Sequence, residues 1–245
     1  MTIFDDLAAE QERLEKILLG LDEAQWSSLS GAEGWTIADV VLHLAQSEEM
    51  VQASVSHGDV HLSLGAAAGD TVDERAAEAV RAERAAPAEV FARWQRARQA
   101  ALSALRAADP DEPLEWVAGR VKPGTLATTR LAEHWAHGLD ITGPLGIDFP
   151  DTERLRHVAW LAHRTLPYAL RLAGQSQAAI RCELTAPDGS DTWRYGPLDA
   201  ESAITGPAGD FCRVAAQRLD PAQATLRASG PSGATAVRLL RTYAA

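Results

Sequence analysis

The chain has 245 residues, a hydrophobic fraction of 46% and a formal net charge of -11, which is enough for one large domain or two small ones with a real core. The acidic composition argues against nucleic acid or an anionic membrane as a partner, since both need a basic face. No apolar run approaches the ~20 residues that span a bilayer. The N-terminus carries acids where a signal peptide needs a basic start. We therefore expect a cytosolic protein without a nucleic-acid or membrane partner. Its expected assembly is a monomer or homodimer.

The chain as far as residue 174 carries helical patterns, because apolar residues recur there at spacings of three, four and seven. Thr36 and Asp39 stand three apart, close to a capping box that would start a helix. Pro87 stands where a helix tolerates proline, at its first position. The predicted helices span residues 3–21, 36–55, 72–86, 87–107, 126–138 and 151–173.

The pattern changes after residue 174. Residues 178–196 alternate and contain the turn dipeptide Asp188-Gly189, which predicts a β-hairpin. A short strand, a turn and a helix are predicted over 201–219, a strand over 224–230 and a closing helix over 232–244. We therefore predict a helical domain over 1–174 and a small α+β domain over 175–245. The two cysteines, Cys182 and Cys212, are expected to be buried apolar residues.

The segment "TTRLAEHWAHGLDI", residues 128–141, contains a candidate metal site. Glu133 and His137 are four apart, so on a helix their side chains lie on one face and can converge. A carboxylate and an imidazole are good ligands for a first-row metal. His43, near the apolar face of its own helix, is the candidate third ligand in a helical bundle. The alternative is that Glu133 and His137 form a solvated face and that His43 is a hydrogen-bonded core residue.

Three neighbouring residues have two interpretations each. Asp140 could accept the second ring N–H of His137, or it could be a polar residue at the end of the helix. Arg130 could hold a substrate carboxylate by a bidentate pair, or it could form a structural ion pair. His134 lies about 100° around the helix from Glu133, so it packs in the protein or meets solvent.

Two motifs resemble a known family. The first consists of Gly34, Trp35, Thr36, Asp39, His43 and Leu44, and the second of Glu133, Trp135, His137, Gly138, Asp140 and Ile141. Together they resemble the mycothiol-dependent maleylpyruvate isomerase family, within the DinB-like metalloprotein superfamily. The resemblance implies a DinB-like four-helix bundle with a small C-terminal α+β domain.

The resemblance also implies ligands and cofactors. His43, Glu133 and His137 would bind a divalent metal, usually taken as zinc, with nickel or iron as alternatives. Mycothiol or a similar thiol would be cofactor or co-substrate. The C-terminal domain would supply a cationic group for it, at Arg218, where a helix that opens with "GPA" ends. Residues 57–86, acidic and alanine-rich, depart from the family pattern and could cover the site.

Three protein ligands leave an open metal position, which is typical of a catalytic site. A metal there can lower the pKa of a bound water or of a bound thiol. The family resemblance favours the thiol, and it implies a metal-dependent thiol transferase or isomerase in which Arg130 and Asp140 assist the three ligands. One alternative is a hydrolase or lyase that needs no thiol, which a thiol-omission assay separates. The other is a metal-binding module without turnover.

Overall fold

The structure is a computed structural model that describes residues 2–57, 71–117 and 119–242. The described residues up to Phe149 form one compact unit, and those from Pro150 onward form a second. This division lies earlier in the chain than the predicted boundary after residue 174. The helix over Leu155–Leu172 packs against elements of the second unit, which is why it groups with the small sheet.

The first unit is helical, as predicted. Its helices are α1 (Ile3–Leu18), α2 (Glu23–Trp26), α3 (Ile37–His57), α4 (Val72–Ala82), α5 (Pro87–Ala107) and α6 (Pro123–Leu145). The helices α1, α3, α5 and α6 pack on one another, and α4 packs on α3. Of the stretch 57–86 that could cover the site, residues 58–70 lie outside the described residues. None of the helices in the described ranges has the length and apolarity to cross a membrane.

The short helix α2 was not predicted. Its four residues are too few to show a period, but Asp22 and Gln25 form a capping box in which each side chain accepts from the other's main-chain N–H. Such a box satisfies two of the main-chain donors that a helix start leaves without partners. Trp26, at the end of α2, is buried in the core of this unit.

Helix α6 is longer than predicted at both ends. Pro123 is its first residue, a position that requires no N–H. The predicted end at Gly138 is wrong, because Gly138 lies inside the helix against the Phe149 ring. A Cβ at position 138 would lie only 2.6 Å from Cζ of Phe149. The glycine therefore makes room for an aromatic ring, and the helix continues to Leu145 before Gly146 ends it in the left-handed conformation.

The second unit packs helices on a four-stranded sheet. Its elements are α7 (Leu155–Leu172), β1 (Ile180–Thr185), β2 (Thr192–Tyr195), β3 (Ser202–Pro207), α8 (Ala208–Ala215), β4 (Arg227–Ser229) and α9 (Gly233–Leu239). The strand order is β2-β1-β3-β4. The predicted hairpin is confirmed as the antiparallel pair β1–β2, while β1 and β3 are parallel. Cys182 and Cys212 are both buried here, as predicted.

Candidate metal centre

The start of α3 fixes the position of His43. The main-chain N–H of Thr36 donates to Asp39 Oδ2 at 3.0 Å, and the N–H of Asp39 donates to Thr36 Oγ1 at 3.2 Å. Arg84 pairs with both Asp39 oxygens at 2.8 and 2.9 Å. His43 follows Asp39 by four residues, so it lies one turn after this fixed helix start.

Three predicted ligands meet between α3 and α6. His43 Nε2 lies 3.7 Å from Glu133 Oε2, and His137 Nε2 lies 3.5 Å from the same oxygen. One ligand atom from each of the three residues lies within 4.8 Å of the other two. The side chains are 17%, 31% and 10% exposed for His43, Glu133 and His137. The cluster is therefore mostly buried but can be reached from solvent.

This donor set fits a small divalent ion. With metal–ligand bonds of ~2.1 Å, two ligands of a tetrahedral site are ~3.4 Å apart, close to the separations of 3.7 and 3.5 Å from Glu133 Oε2. Two imidazoles and a carboxylate are donors that zinc, nickel and iron accept. The three residues can thus hold one ion and leave a coordination position for a further ligand.

The surroundings of Glu133 keep it ionised. Burial by itself would raise the pKa of Glu133, but the neighbouring imidazoles of His137 and His43, with the charge of Arg130, outweigh it and hold that pKa well below the usual value. Burial lowers the pKa of His43. It would also lower the pKa of His137, but hydrogen bonds with Asp140 and Glu133 raise that pKa instead. Glu133 is thus kept as a carboxylate, the form that binds a metal.

Asp140 orients His137. It is buried within α6, and its Oδ2 lies 2.9 Å from Nδ1 of His137. A carboxylate accepts hydrogen bonds, so Nδ1 carries a proton, and Nε2, which faces the cluster, would offer its lone pair to a bound metal. Of the two interpretations left open for Asp140, the geometry favours the one in which it holds the ring of His137.

We expect Asp140→Asn to weaken zinc binding by about tenfold, the lower end of the range for residues that support a metal ligand. An amide carries no charge to stabilise the imidazole and binds its N–H more weakly. Competition with a chromophoric chelator measures the zinc dissociation constant. The matched control is Asp148→Asn, since Asp148 is exposed. Equal zinc affinity in Asp140→Asn and wild type would contradict this role.

Trp35 borders the cluster, which was not predicted. Its ring centroid lies 5.1 Å from that of His43 and 6.3 Å from that of His137, with which it is nearly parallel. Its loop is tied to α6, since the Gly31 N–H donates to the Asp140 carbonyl at 2.7 Å. The sequence placed Trp35 in the first family motif but did not indicate this contact, because it joins segments far apart in the chain.

His134 is not part of the cluster. Its Nδ1 lies 2.8 Å from the Arg130 carbonyl, and its Nε2 accepts from the indole N–H of Trp94 at 3.2 Å. The ring is therefore neutral with its proton on Nδ1, as these two partners require. Burial, with the nearby charge of Arg130, lowers the pKa of His134 to about 3. Both ring nitrogens are used within the protein, so His134 packs and does not meet solvent.

Arg130 lies close to the cluster but is paired. Its side chain is 4% exposed, and its Nε lies 3.2 Å from Oε1 of Glu48, which is fully buried. Of the two interpretations left open for Arg130, this contact favours the structural ion pair. Burial raises the pKa of Glu48, although Arg130 opposes that effect. Glu48 was not singled out in the sequence, where it is one of several acids in the second half of its helix.

Arg218, the predicted thiol-binding residue, belongs to the second unit. It donates from Nη1 to the carbonyl of Ala216 at 2.7 Å. The three ligands, Asp140 and Arg130 all lie in the first unit, which forms the candidate metal centre from its own residues. A role for Arg218 in thiol binding stays a prediction.

Comparison with known proteins places the candidate ligands in a known domain. A family model described as the mycothiol maleylpyruvate isomerase N-terminal domain matches residues 7–142. This range contains more than half of the chain and all three candidate ligands. The chain belongs to this family.

Similar proteins extend the match beyond that domain. Two uncharacterized proteins of Mycobacterium tuberculosis, from different strains, are each 36% identical over 219 residues, which is 87% of this chain and 84% of each relative. Crystal structures of the mycothiol-dependent maleylpyruvate isomerase and of its histidine-to-alanine mutant superpose with a TM-score of 0.63 at 17% identity. The alignment covers 94% of this chain and 95% of each solved chain. This chain and the solved isomerase therefore share a fold that combines helices with a small four-stranded sheet.

Proposed function

We propose that the protein is a metal-dependent enzyme that uses a low-molecular-weight thiol of the mycothiol type to isomerise, or to add to, a small electrophilic substrate bearing a carboxylate. The observation that carries the proposal is the convergence of His43, Glu133 and His137 on one point within the family's matched segment. The activity in the name of the solved relative, maleylpyruvate isomerase, supports a cis-configured conjugated acid as substrate.

Each of these residues, with Asp140 and Trp35, would have its own role in the reaction. His43, Glu133 and His137 would hold a divalent ion, zinc by preference and nickel or iron as alternatives, which would favour the deprotonated form of a thiol placed beside it. Asp140 would keep the proton of His137 on Nδ1, so that the lone pair of Nε2 is free to bind the ion. Trp35 lies beside the two imidazoles and would limit the access of water on that side.

The proposed reaction balances without a redox partner. The thiolate sulfur adds to one carbon of the conjugated double bond, and the displaced electron pair moves onto the substrate's carbonyl. The former double bond is then a single bond and rotates. When the electron pair returns, the C–S bond breaks, the thiolate leaves and the trans double bond forms. Retention of the C–S bond with uptake of a proton would give a conjugate instead.

A thiol-omission assay tests this proposal. Zinc-loaded protein is mixed with maleylpyruvate, with and without mycothiol, and the cis and trans isomers are quantified by proton NMR. We expect turnover only when thiol is present, and none with Glu133→Ala. Turnover without thiol would overturn the thiol mechanism, and hydrolysis or cleavage products in the same spectra would indicate a hydrolase or lyase. Zinc binding without turnover of any maleyl-type acid would indicate a metal-binding module.

A further inference from the structure

A buried ion pair joins the two helices that carry the candidate ligands. Glu48 follows His43 by five residues on α3, and Arg130 precedes Glu133 by three residues on α6. Arg130 Nε and Glu48 Oε1 are 3.2 Å apart. The pair therefore lies about one turn from the ligand cluster on both helices.

Stability alone does not account for this pair. The two side chains are 4% and 0% exposed, and Arg130 Nη2 and Glu48 Oε2 have no hydrogen-bond partner among the described residues. Taking two charges out of water costs about as much as their attraction returns, unless the remaining polar atoms are also hydrogen-bonded. In other proteins, well-packed apolar residues of similar size often stabilise a fold as well as a buried ion pair or better. Apolar residues, however, would not fix the alignment of α3 relative to α6 along the helix axes.

A third helix contacts the same region. The indole N–H of Trp94 on α5 donates to Nε2 of His134 on α6, and the ring of His134 lies beside Glu48, with 3.6 Å between Nδ1 and Oε1. Side chains of α3, α5 and α6 thus meet in one polar region of the buried interior. Polar contacts are directional and apolar ones are not, so this region resists sliding of one helix along another.

We propose that the Glu48–Arg130 pair sets the register between α3 and α6 and so fixes the distance from His43 to Glu133 and His137. The inference rests on the proposed metal-dependent function and makes Glu48 and Arg130 positioning residues. A slip of one residue moves a helix by ~1.5 Å along its axis. Metal–ligand distances tolerate only ~0.2 Å. A small change in the register between the two helices is therefore enough to weaken metal binding.

Charge effects must be separated from geometry in any test. Loss of Arg130 alone removes a positive charge near the cluster and would favour a cation there, whereas loss of Glu48 alone would disfavour it. The double variant Glu48→Leu/Arg130→Met removes one charge of each sign and keeps the approximate volume. A change in metal binding by this variant then reports geometry.

The experiment compares metal binding by purified wild type and the double variant. We expect the double variant to bind zinc about tenfold more weakly, as for other residues that support metal ligands, with an unchanged or higher unfolding midpoint. Cobalt(II) provides the geometric readout, because its visible absorption depends on the arrangement of its ligands. We expect an altered cobalt spectrum in the double variant.

The matched control is Glu49→Leu/Arg93→Met. This pair also links α3 to another helix, with Arg93 Nε 2.7 Å from Glu49 Oε1, but it is partly exposed and does not involve α6. We expect wild-type zinc affinity and a wild-type cobalt spectrum from the control. A loss of affinity as large as in the double variant would overturn the inference, because any cross-helix pair would then have the same effect.

The outcomes separate this inference from the proposed function. No metal binding by wild type would overturn both. Equal zinc affinity and identical cobalt spectra in wild type and the Glu48→Leu/Arg130→Met variant would overturn the inference and leave the proposed function standing. If the double variant does not fold, Glu48→Asp decides, since it keeps the charge and shortens the side chain. A wild-type cobalt spectrum in Glu48→Asp would overturn the inference, and a changed one would support it.

Discussion

Glu133→Ala and His137→Ala are each expected to reduce the bound zinc from about one ion per chain to below about a tenth of that, because a catalytic zinc site has three protein ligands. Two remaining ligands hold zinc too weakly to survive gel filtration. Glu133 also supplies the only negative charge among the three ligands, so its loss leaves two neutral imidazoles. Plasma mass spectrometry of the purified proteins measures the metal directly.

The control for the zinc measurement is His163→Ala. His163 belongs to the second unit, where its Nε2 lies 2.9 Å from the Ile180 carbonyl, so the variant also loses one histidine but should keep its zinc. Circular dichroism shows whether each variant is folded. Full zinc content in a folded Glu133→Ala or His137→Ala protein would contradict the assignment of that residue as a ligand. So would the absence of metal from wild type after reconstitution with zinc, nickel and iron.

Gly230→Ala is expected to destabilise the second unit by more than about 3 kcal/mol, because two penalties combine. Gly230 has a φ of 76°, a conformation that costs a residue with a Cβ about 1–2 kcal/mol. A Cβ there would also collide with the Glu201 carbonyl oxygen and lie 2.7 Å from Cα of Ser202. Both are main-chain atoms at the start of β3, so no side chain can move aside.

Gly189→Ala separates the two penalties. Gly189 lies in the β1–β2 turn with a nearly equal φ of 74°, and nothing lies within 4 Å of its Cβ position. We expect this control to lose only the conformational part, about 1–2 kcal/mol. Differential scanning calorimetry should then show a fall in Tm of about 10 °C or more for Gly230→Ala and a clearly smaller fall for Gly189→Ala. Equal falls in Tm for the two variants would mean that the main chain moves away from the new Cβ of residue 230 at little cost in free energy.

Local signals in the sequence predicted most of the helices. Helix α5 begins at Pro87 and ends at Ala107, as predicted, because proline marks its start and the apolar period is regular. The end of α6 could not be found in this way. Taken alone, Gly138 indicates the end of a helix. Its place inside the helix is explained by its contact with the ring of Phe149, which lies beyond the end of α6 and which no local pattern predicts.

The sequence pointed to part of the candidate site. A spacing of four on one helix made Glu133 and His137 candidate ligands, and the place of His43 on an apolar face made it the third. The family resemblance favoured this set over a solvated face. Glu48 could not be found, because its partner Arg130 is 82 positions away and no periodicity connects them. The same holds for Trp35, whose contact with His137 depends on how a loop packs on a distant helix.

The position of Trp35 gives the protein an intrinsic optical probe. Its indole contacts both imidazoles of the cluster, and the fluorescence of an indole is quenched efficiently by cobalt(II) or nickel(II) at such short range. The chain has seven tryptophans, so the emission lost on adding cobalt, compared between wild type and Trp35→Phe, isolates the contribution of this one ring. Occupancy of the site could then be followed in real time, without a label and without knowledge of the substrate.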